Sequence, residues 1–183
     1  MSDIVIINGS PSSTSRLNGL IDYADQTLQQ AGFTVENIHV AELPPEDLLR
    51  ARWDSPAISA ANEKVANARG VIIASPVYKA SYTGVLKAYL DLLPQKGLQH
   101  KVVLPLFIGG SLAHLLVMDY GLKPVLSALG ARYVLGGVYA VDQWVTRLPD
   151  GGYTLPEELT NRLDENLSEF SSVIHLTVPI LTQ

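Results

Sequence analysis

Three stretches of this chain, Ile4-Val5-Ile6-Ile7, Gly70-Val71-Ile72-Ile73-Ala74-Ser75 and Val102 to Phe107 (led by Lys101), are too uniformly apolar to be strands with one wet face. A short strand that is apolar at every position must be covered on both sides, and that requirement selects a parallel sheet flanked by helices. The segments between them agree. From Leu17 the apolar positions Leu20, Ile21, Ala24, Leu28 and Ala31 recur at helical spacing, and Gly32 stands where a helix-ending glycine belongs. Thr34 to Val40 alternates, with Val35, Ile38 and Val40 as the buried set of a second strand. Ala57 to Ala68 reads as a helix, Gly84 to Leu93 as another closed by Pro94, and Leu112 to Leu129 as a third that is apolar nearly all round and needs cover on more than one side. Ala131 to Leu135 gives a fifth strand, kinked at Gly136-Gly137 and extended by Val138 to Val145. A turn at Pro149-Asp150-Gly151-Gly152 leads to a last helix striped by Leu159, Leu163, Leu167, Phe170 and Ile174. Leu43 to Pro56 breaks pattern, with one turn of helix from Glu46 to Ala51.

Five strands alternating with helices predict an α/β fold: a five-stranded parallel sheet with helices on both faces, joined by right-handed crossovers. Two strand orders are plausible, 2-1-3-4-5 and the longer dinucleotide-binding order, and five strands favour the first. Ligands then sit beyond the carboxyl ends of the strands, between strands 1 and 3. A chain of 183 residues suits one domain, residues 1–183, able to bury its core without staples.

The loops that would meet at that edge carry unusual chemistry. Gly9-Ser10-Pro11-Ser12-Ser13-Thr14-Ser15-Arg16 joins the first strand to a helix N-terminus and packs five hydroxyls, flexible backbone and one cation where the helix dipole favours an anion. It reads as a phosphate cradle; the alternative is a Ser-rich loop in which Thr14 or Ser15 merely caps the helix. The loop after the third strand, Ser75-Pro76-Val77-Tyr78-Lys79-Ala80-Ser81-Tyr82-Thr83-Gly84, offers a rigid proline, two aromatic rings and small residues. Gly109-Gly110-Ser111 exposes backbone N–H groups after the fourth. A phosphate at one end and flat, amide-lined walls at the other describe a mononucleotide with a planar heterocycle: adenine, nicotinamide and flavin all qualify. No Gly-x-Gly-x-x-Gly follows the first strand, and no Gly-Lys-Ser/Thr is present to hold a triphosphate with magnesium.

Other classes are excluded or disfavoured. A formal charge of −5 argues against a nucleic-acid partner, and no apolar run is long enough for a membrane span. The absence of cysteine removes disulfides, thiolate metal sites and a Cys nucleophile; His39, His100 and His175 make no metal-ligand spacing. Ser10 lacks the Gly-x-Ser-x-Gly setting of a hydrolase nucleophile. Met1-Ser2-Asp3 leads straight into a strand with no basic and apolar leader, so a cytoplasmic protein is expected.

The set Gly9-Ser10-Pro11 through Ser15-Arg16, Ser75-Pro76-Val77-Tyr78, Gly109-Gly110-Ser111 and the run from His114 to Ala131 resembles the flavodoxin-like NAD(P)H-dependent FMN reductases over most of the chain. Arg52-Trp53-Asp54-Ser55-Pro56-Ala57 and Lys123-Pro124-Val125-Leu126-Ser127-Ala128-Leu129 are most similar to the reductase component of two-component alkanesulfonate monooxygenases. Members of the broader family often carry Gly-Ser-x-Arg; here that arginine position is Ser12, and Arg16 is the nearby cation. The resemblance implies reduction of FMN by NADPH or NADH and delivery of FMNH2 to a monooxygenase that splits carbon–sulfur bonds with O2. It places Ser10, Ser15, Arg16 and Asn18 at the phosphate, Pro76, Val77, Tyr78 and Lys79 along one edge of the ring, and Gly109, Gly110 and Ser111 at its pyrimidine side. It needs no catalytic side chain and no metal, since the cofactors carry the hydride.

Within Leu112 to Leu129, Gly121 and Pro124 interrupt an otherwise regular period. The resemblance implies a one-residue π-bulge at Tyr120 on a subunit interface, hence a dimer or tetramer; an ordinary Pro-kinked core helix is the alternative. His114 is either a polariser of a flavin carbonyl or a structural histidine. Two rival functions share the fold: a flavodoxin-type electron carrier, which usually shows a dense acidic face near its flavin, and a quinone or azo reductase that keeps FMN permanently.

Overall fold

A computed structural model describes residues 2–149 and 151–177; Met1, Asp150 of the expected turn and residues 178–183 lie outside the described residues. The strands β1 (Ile4–Asn8), β2 (Val35–His39), β3 (Gly70–Pro76) and β4 (Val102–Gly109) are all parallel. The fifth position is shared by β5 (Tyr133–Val134) and β6 (Val138–Val141), both pairing with β4. The order is β2-β1-β3-β4-β5, as strand count suggests, with the break at Gly136-Gly137. Gly137 has φ +79°, and a Cβ there would lie 2.6 Å from the Pro105 carbonyl oxygen, so the strand can turn only on glycine.

The uniform apolarity of the strands is used on both faces. Val5, Ile7, Val71, Ile73, Val103 and Phe107 meet the helices α3 (Pro56–Asn67) and α4 (Gly84–Leu90); Ile4, Ile6, Ile72, Leu104 and Leu106 meet α1 (Leu17–Gln30) and α6 (Glu157–Thr177). Between β2 and α3 a short helix, α2 (Pro45–Leu49), occupies the irregular stretch. No described helix is long and apolar enough to cross a membrane.

Three expectations shift. The strand extension stops at Val141 and gives a 3-10 turn, Asp142–Trp144. The turn that follows closes an antiparallel hairpin, β7 (Thr146–Arg147) with β8 (Tyr153–Thr154). The run from Leu112 is not one helix: a 3-10 turn, Leu112–His114, precedes a π-helical turn, Val117–Leu122, and only then α5 (Lys123–Ala128), with Pro124 in its first turn. Proline lacks the N–H that an interior helical position would need, so the α-helix restarts beside it. Leu112, Leu115, Leu116 and Tyr120 remain 55%, 43%, 56% and 79% exposed, so the cover that their apolarity calls for is not supplied within the chain.

At the opposite end of the sheet Asp3 ties three segments together. Its carboxylate accepts the Thr34 N–H at 3.0 Å and hydroxyl at 2.8 Å and pairs with the Arg69 guanidinium. Burial alone pushes this carboxyl up, but the Thr34 and Arg69 bonds outweigh it and hold its pKa below the ordinary aspartate value. A carboxyl depressed on folding stabilises fully above its unfolded pKa, and that contribution disappears as pH falls through the lowered folded value. Asp3→Asn is therefore expected to be less stable than the natural chain at neutral pH, with the difference closing below about pH 4. Denaturant melts across pH 2–7 measure it; a gap that persists in acid contradicts it.

Candidate flavin site

The first loop leaves β1 at Asn8 and is turned inside out by its own hydrogen bonds. Ser10, buried, donates through Oγ to the Ser12 carbonyl at 3.1 Å and accepts the Ser12 N–H at 3.2 Å. The Ser15 N–H also bonds the Ser12 carbonyl, Asn18 Nδ2 donates to the Ser13 carbonyl at 2.8 Å, and Tyr153 Oη donates to the Ser15 carbonyl at 3.0 Å. Three carbonyl oxygens are thus held toward the protein. A trans peptide points its N–H opposite to its carbonyl, so the N–H groups of Ser13 and Arg16 are turned the other way, and neither has a partner among the described residues. Two free N–H groups beside the start of a 14-residue helix suit an anion, to which the Ser15 hydroxyl and the Arg16 guanidinium add further donors. Ser15 Oγ accepts the Leu17 N–H at 3.2 Å and keeps its hydrogen free; exposed Arg16 has no ion-pair partner among the described residues.

Of the four residues expected at the phosphate, Ser15 and Arg16 thus present donors. Ser10 spends its hydroxyl, and Asn18 one of its two amide hydrogens, inside the loop, where both act as its frame.

The second loop is stapled to the first. Thr83 caps α4 by accepting the Leu86 N–H at 3.1 Å, and its hydroxyl donates to the Gly9 carbonyl. Ser75 Oγ accepts the Thr83 N–H at 3.1 Å and donates to the Pro76 carbonyl, leaving Pro76 buried as the rigid start of the loop. Tyr78 and Ser81 exchange N–H···O bonds of 2.8 and 3.1 Å around Lys79 (φ 50°) and Ala80 (φ 63°). Two consecutive non-glycine residues in the left-handed region are strained, and such strain collects at binding loops. Here it thrusts out the Lys79 side chain and two partnerless N–H groups, those of Lys79 and Ala80. Val77, half-buried, and Tyr78, exposed, give the loop its apolar wall.

In the third loop the glycines have different work. A Cβ on Gly109 would lie 2.1 Å from Tyr139 Oη, so this residue is glycine to admit Tyr139, which donates to the Ser111 carbonyl at 2.8 Å. Gly110 is exposed, with nothing within 4 Å of where its Cβ would be. The N–H groups of Gly110 and Ser111 have no hydrogen-bond partner among the described residues. The π-helical turn abuts this site: the Cβ position of Gly121 is 3.7 Å from Ser81 Oγ and 3.9 Å from the Tyr82 ring.

Six N–H groups and two cations without partners among the described residues, with an open glycine, stand at three adjoining strand ends and suit a monophosphate tail with a flat, polar-edged ring. An FMN held there would supply the electron-accepting ring, while the chain supplies alignment, cations and N–H donors for the charge of the reduced form. No cluster of three or more acidic or histidine side chains that could hold a metal occurs among the described residues. The braces Asn8, Thr83, Tyr139 and Tyr153 went unread in the sequence. Thr83 alone left a local signal, a threonine directly before a helix start.

The profile of the NADPH-dependent FMN reductase family matches residues 2–146. The chain is 46% identical over 175 residues to an FMN reductase (NADPH) of Pseudomonas putida, covering 96% of this chain and 87% of that protein. It is 46% identical over 172 residues to an FMN reductase (NADPH) of Escherichia coli, covering 94% and 90%. The apo crystal structure of the NADH:FMN oxidoreductase EMOB superposes with a TM-score of 0.82 at 38% identity, covering 93% of this chain and 88% of that one. Matches of this extent reach all three loops, and the chain accordingly belongs to the NADPH-dependent FMN reductases, flavodoxin-like enzymes that use FMN and NAD(P)H.

Proposed function

We propose that the chain works as one cytoplasmic flavin-reducing domain that takes FMN as a substrate and releases FMNH2 to a partner monooxygenase, one that uses it with O2 to cleave a sulfonate carbon–sulfur bond. The observation that carries the release step is exposure: Pro11 to Thr14, Arg16, Tyr78, Lys79, Ala80, Gly110 and Ser111 all face solvent, with none of the described residues folded over them. A flavin gripped by its phosphate and one ring edge keeps a face open for nicotinamide and a path out. The residues take these roles: Ser15 and Arg16 hold the phosphate inside a frame of Ser10 and Asn18; Pro76, Val77, Tyr78 and Lys79 line the ring; Gly110 and Ser111, set by Gly109, meet its pyrimidine side. A flavodoxin-type carrier is disfavoured because the flanks of this site carry Arg16 and Lys79 rather than an acidic face. The sulfonate role is supported by the likeness of residues 52–57 and 123–129 to alkanesulfonate-linked reductases.

The working unit is a homo-oligomer, dimer or tetramer, in which a second copy covers Leu112, Leu115, Leu116 and Tyr120; an exposed apolar patch of this kind marks an interaction surface. Purified protein is expected to oxidise NADPH or NADH at a rate that saturates with added FMN and to drive sulfite release when mixed with a sulfonate monooxygenase. Full activity with flavin that survives gel filtration would point to a prosthetic group instead. Light scattering should give more than one chain per particle, and Leu115→Glu should lower that number.

A further inference from the structure

We infer that Asn8, a residue outside the cradle itself, is a positioning residue that sets the first loop for the phosphate and so favours FMN over unphosphorylated riboflavin; the inference rests on the first loop being the phosphate site. Asn8 ends β1, an otherwise apolar strand, and is only 4% exposed. A buried carboxamide in such a place is retained only if its polar atoms are used, and both ends are. Its Oδ1 accepts the Ser10 N–H at 3.0 Å. Its Nδ2 donates to Asn18 Oδ1 at 3.2 Å and faces His39 Nδ1 at 3.4 Å, which accepts in the tautomer with hydrogen on Nε2.

These bonds fix the loop at two points. Through Ser10 they set the residue whose hydroxyl holds the Ser12 carbonyl, and through Asn18 they set the amide that holds the Ser13 carbonyl. With those two oxygens held by the loop's own donors, neither the Ser12 nor the Ser13 carbonyl competes with the N–H groups of Ser13 and Arg16 for an anion. With Asn8 removed, Asn18 is free to rotate its amide and the Ser13 carbonyl is free to swing toward the site, where it repels phosphate. Riboflavin has no phosphate and touches only the second and third loops, which Asn8 does not brace. The effect is therefore selective by ligand, which a general loss of stability is not.

The test titrates FMN and riboflavin against the natural chain, Asn8→Ala and Asn8→Asp. Asp is isosteric and keeps the acceptor for Ser10 while losing the donor to Asn18 and His39, so it reports the loop even where the alanine variant folds poorly. Both variants are expected to bind FMN about tenfold more weakly, the worth of one lost buried hydrogen bond, with riboflavin affinity unchanged and KM for FMN rising more than kcat falls. Equal loss for both flavins, or no loss for either, overturns the inference. Ser15→Ala/Arg16→Ala, titrated in parallel, separates the two levels: if it weakens FMN while the Asn8 variants do not, only the role of Asn8 falls, and if none responds, the phosphate site falls with it.

Discussion

Ser15→Ala/Arg16→Ala should lower FMN affinity by about a hundredfold while leaving riboflavin affinity within a factor of two. The Ser15 hydroxyl keeps its hydrogen available because its oxygen is already occupied by the Leu17 N–H, and the Arg16 guanidinium meets no carboxylate among the described residues. Bonds from such donors to a phosphate are charge-assisted and worth about 1.5–3 kcal/mol each. Arg16 is solvent-exposed, which places its share at the lower end. Together they amount to about 3 kcal/mol, or two orders of magnitude in Kd. The serine substitution also strips the Leu17 N–H of its acceptor and costs about 1 kcal/mol of folding stability, so thermal melts accompany the flavin titrations. An unchanged FMN isotherm would remove the first loop from the site. The loss should shrink as salt is raised, because the Arg16 contribution is screened and that of the N–H groups is not.

What the sequence displayed and what it hid divide along a physical line. Strand order and the two-sided core followed from apolar periodicity, which is local. An interruption near Val117–Leu122 was announced by Gly121 and Pro124, residues that disturb a helix wherever it lies, while its being a π-turn was implied only by the resemblance. The braces were not legible, since each depends on partners that only the fold brings near: Tyr153 bonds Ser15 across 138 residues, and Thr83 bonds Gly9 across 74. The resemblance places Ser10 and Asn18 at the phosphate, but the loop itself takes the Ser10 hydroxyl and one Asn18 amide hydrogen. Residue type states what a side chain can donate, and only the packing decides to whom. The length of the apolar run from Leu112 similarly concealed its division into three helical types, because period alone does not separate a helix from a sequence of turns with the same buried face.

Gly109→Ala should be the most damaging single methyl group in the site, and Tyr139→Phe should repair part of the damage. The added Cβ would sit 2.1 Å from Tyr139 Oη, 3.1 Å from its Cζ and 3.3 Å from Val77 Cβ. Tyr139 is fully buried on β6 and has no free volume to retreat into. Its hydroxyl must leave the Ser111 carbonyl, so the cost is overpacking of about 1–3 kcal/mol plus a hydrogen bond worth about 1 kcal/mol. For a chain of this size that is a fall in Tm of roughly 5–10 °C. Release of the Ser111 carbonyl also unties the third loop from β6, so NADPH oxidation with saturating FMN should fall with the stability. Phenylalanine removes the oxygen that collides and leaves ring carbon at 3.1 Å, a tight contact that small shifts relieve. Alone, Tyr139→Phe destabilises by about 1 kcal/mol; in the Gly109→Ala background it should be neutral or stabilising, a reversal of sign that independent sites do not show. Denaturant melts of the four proteins complete the cycle. Additive losses would mean that Gly109 is not there to admit Tyr139, and the third loop would then need another account of why its N–H groups stand free.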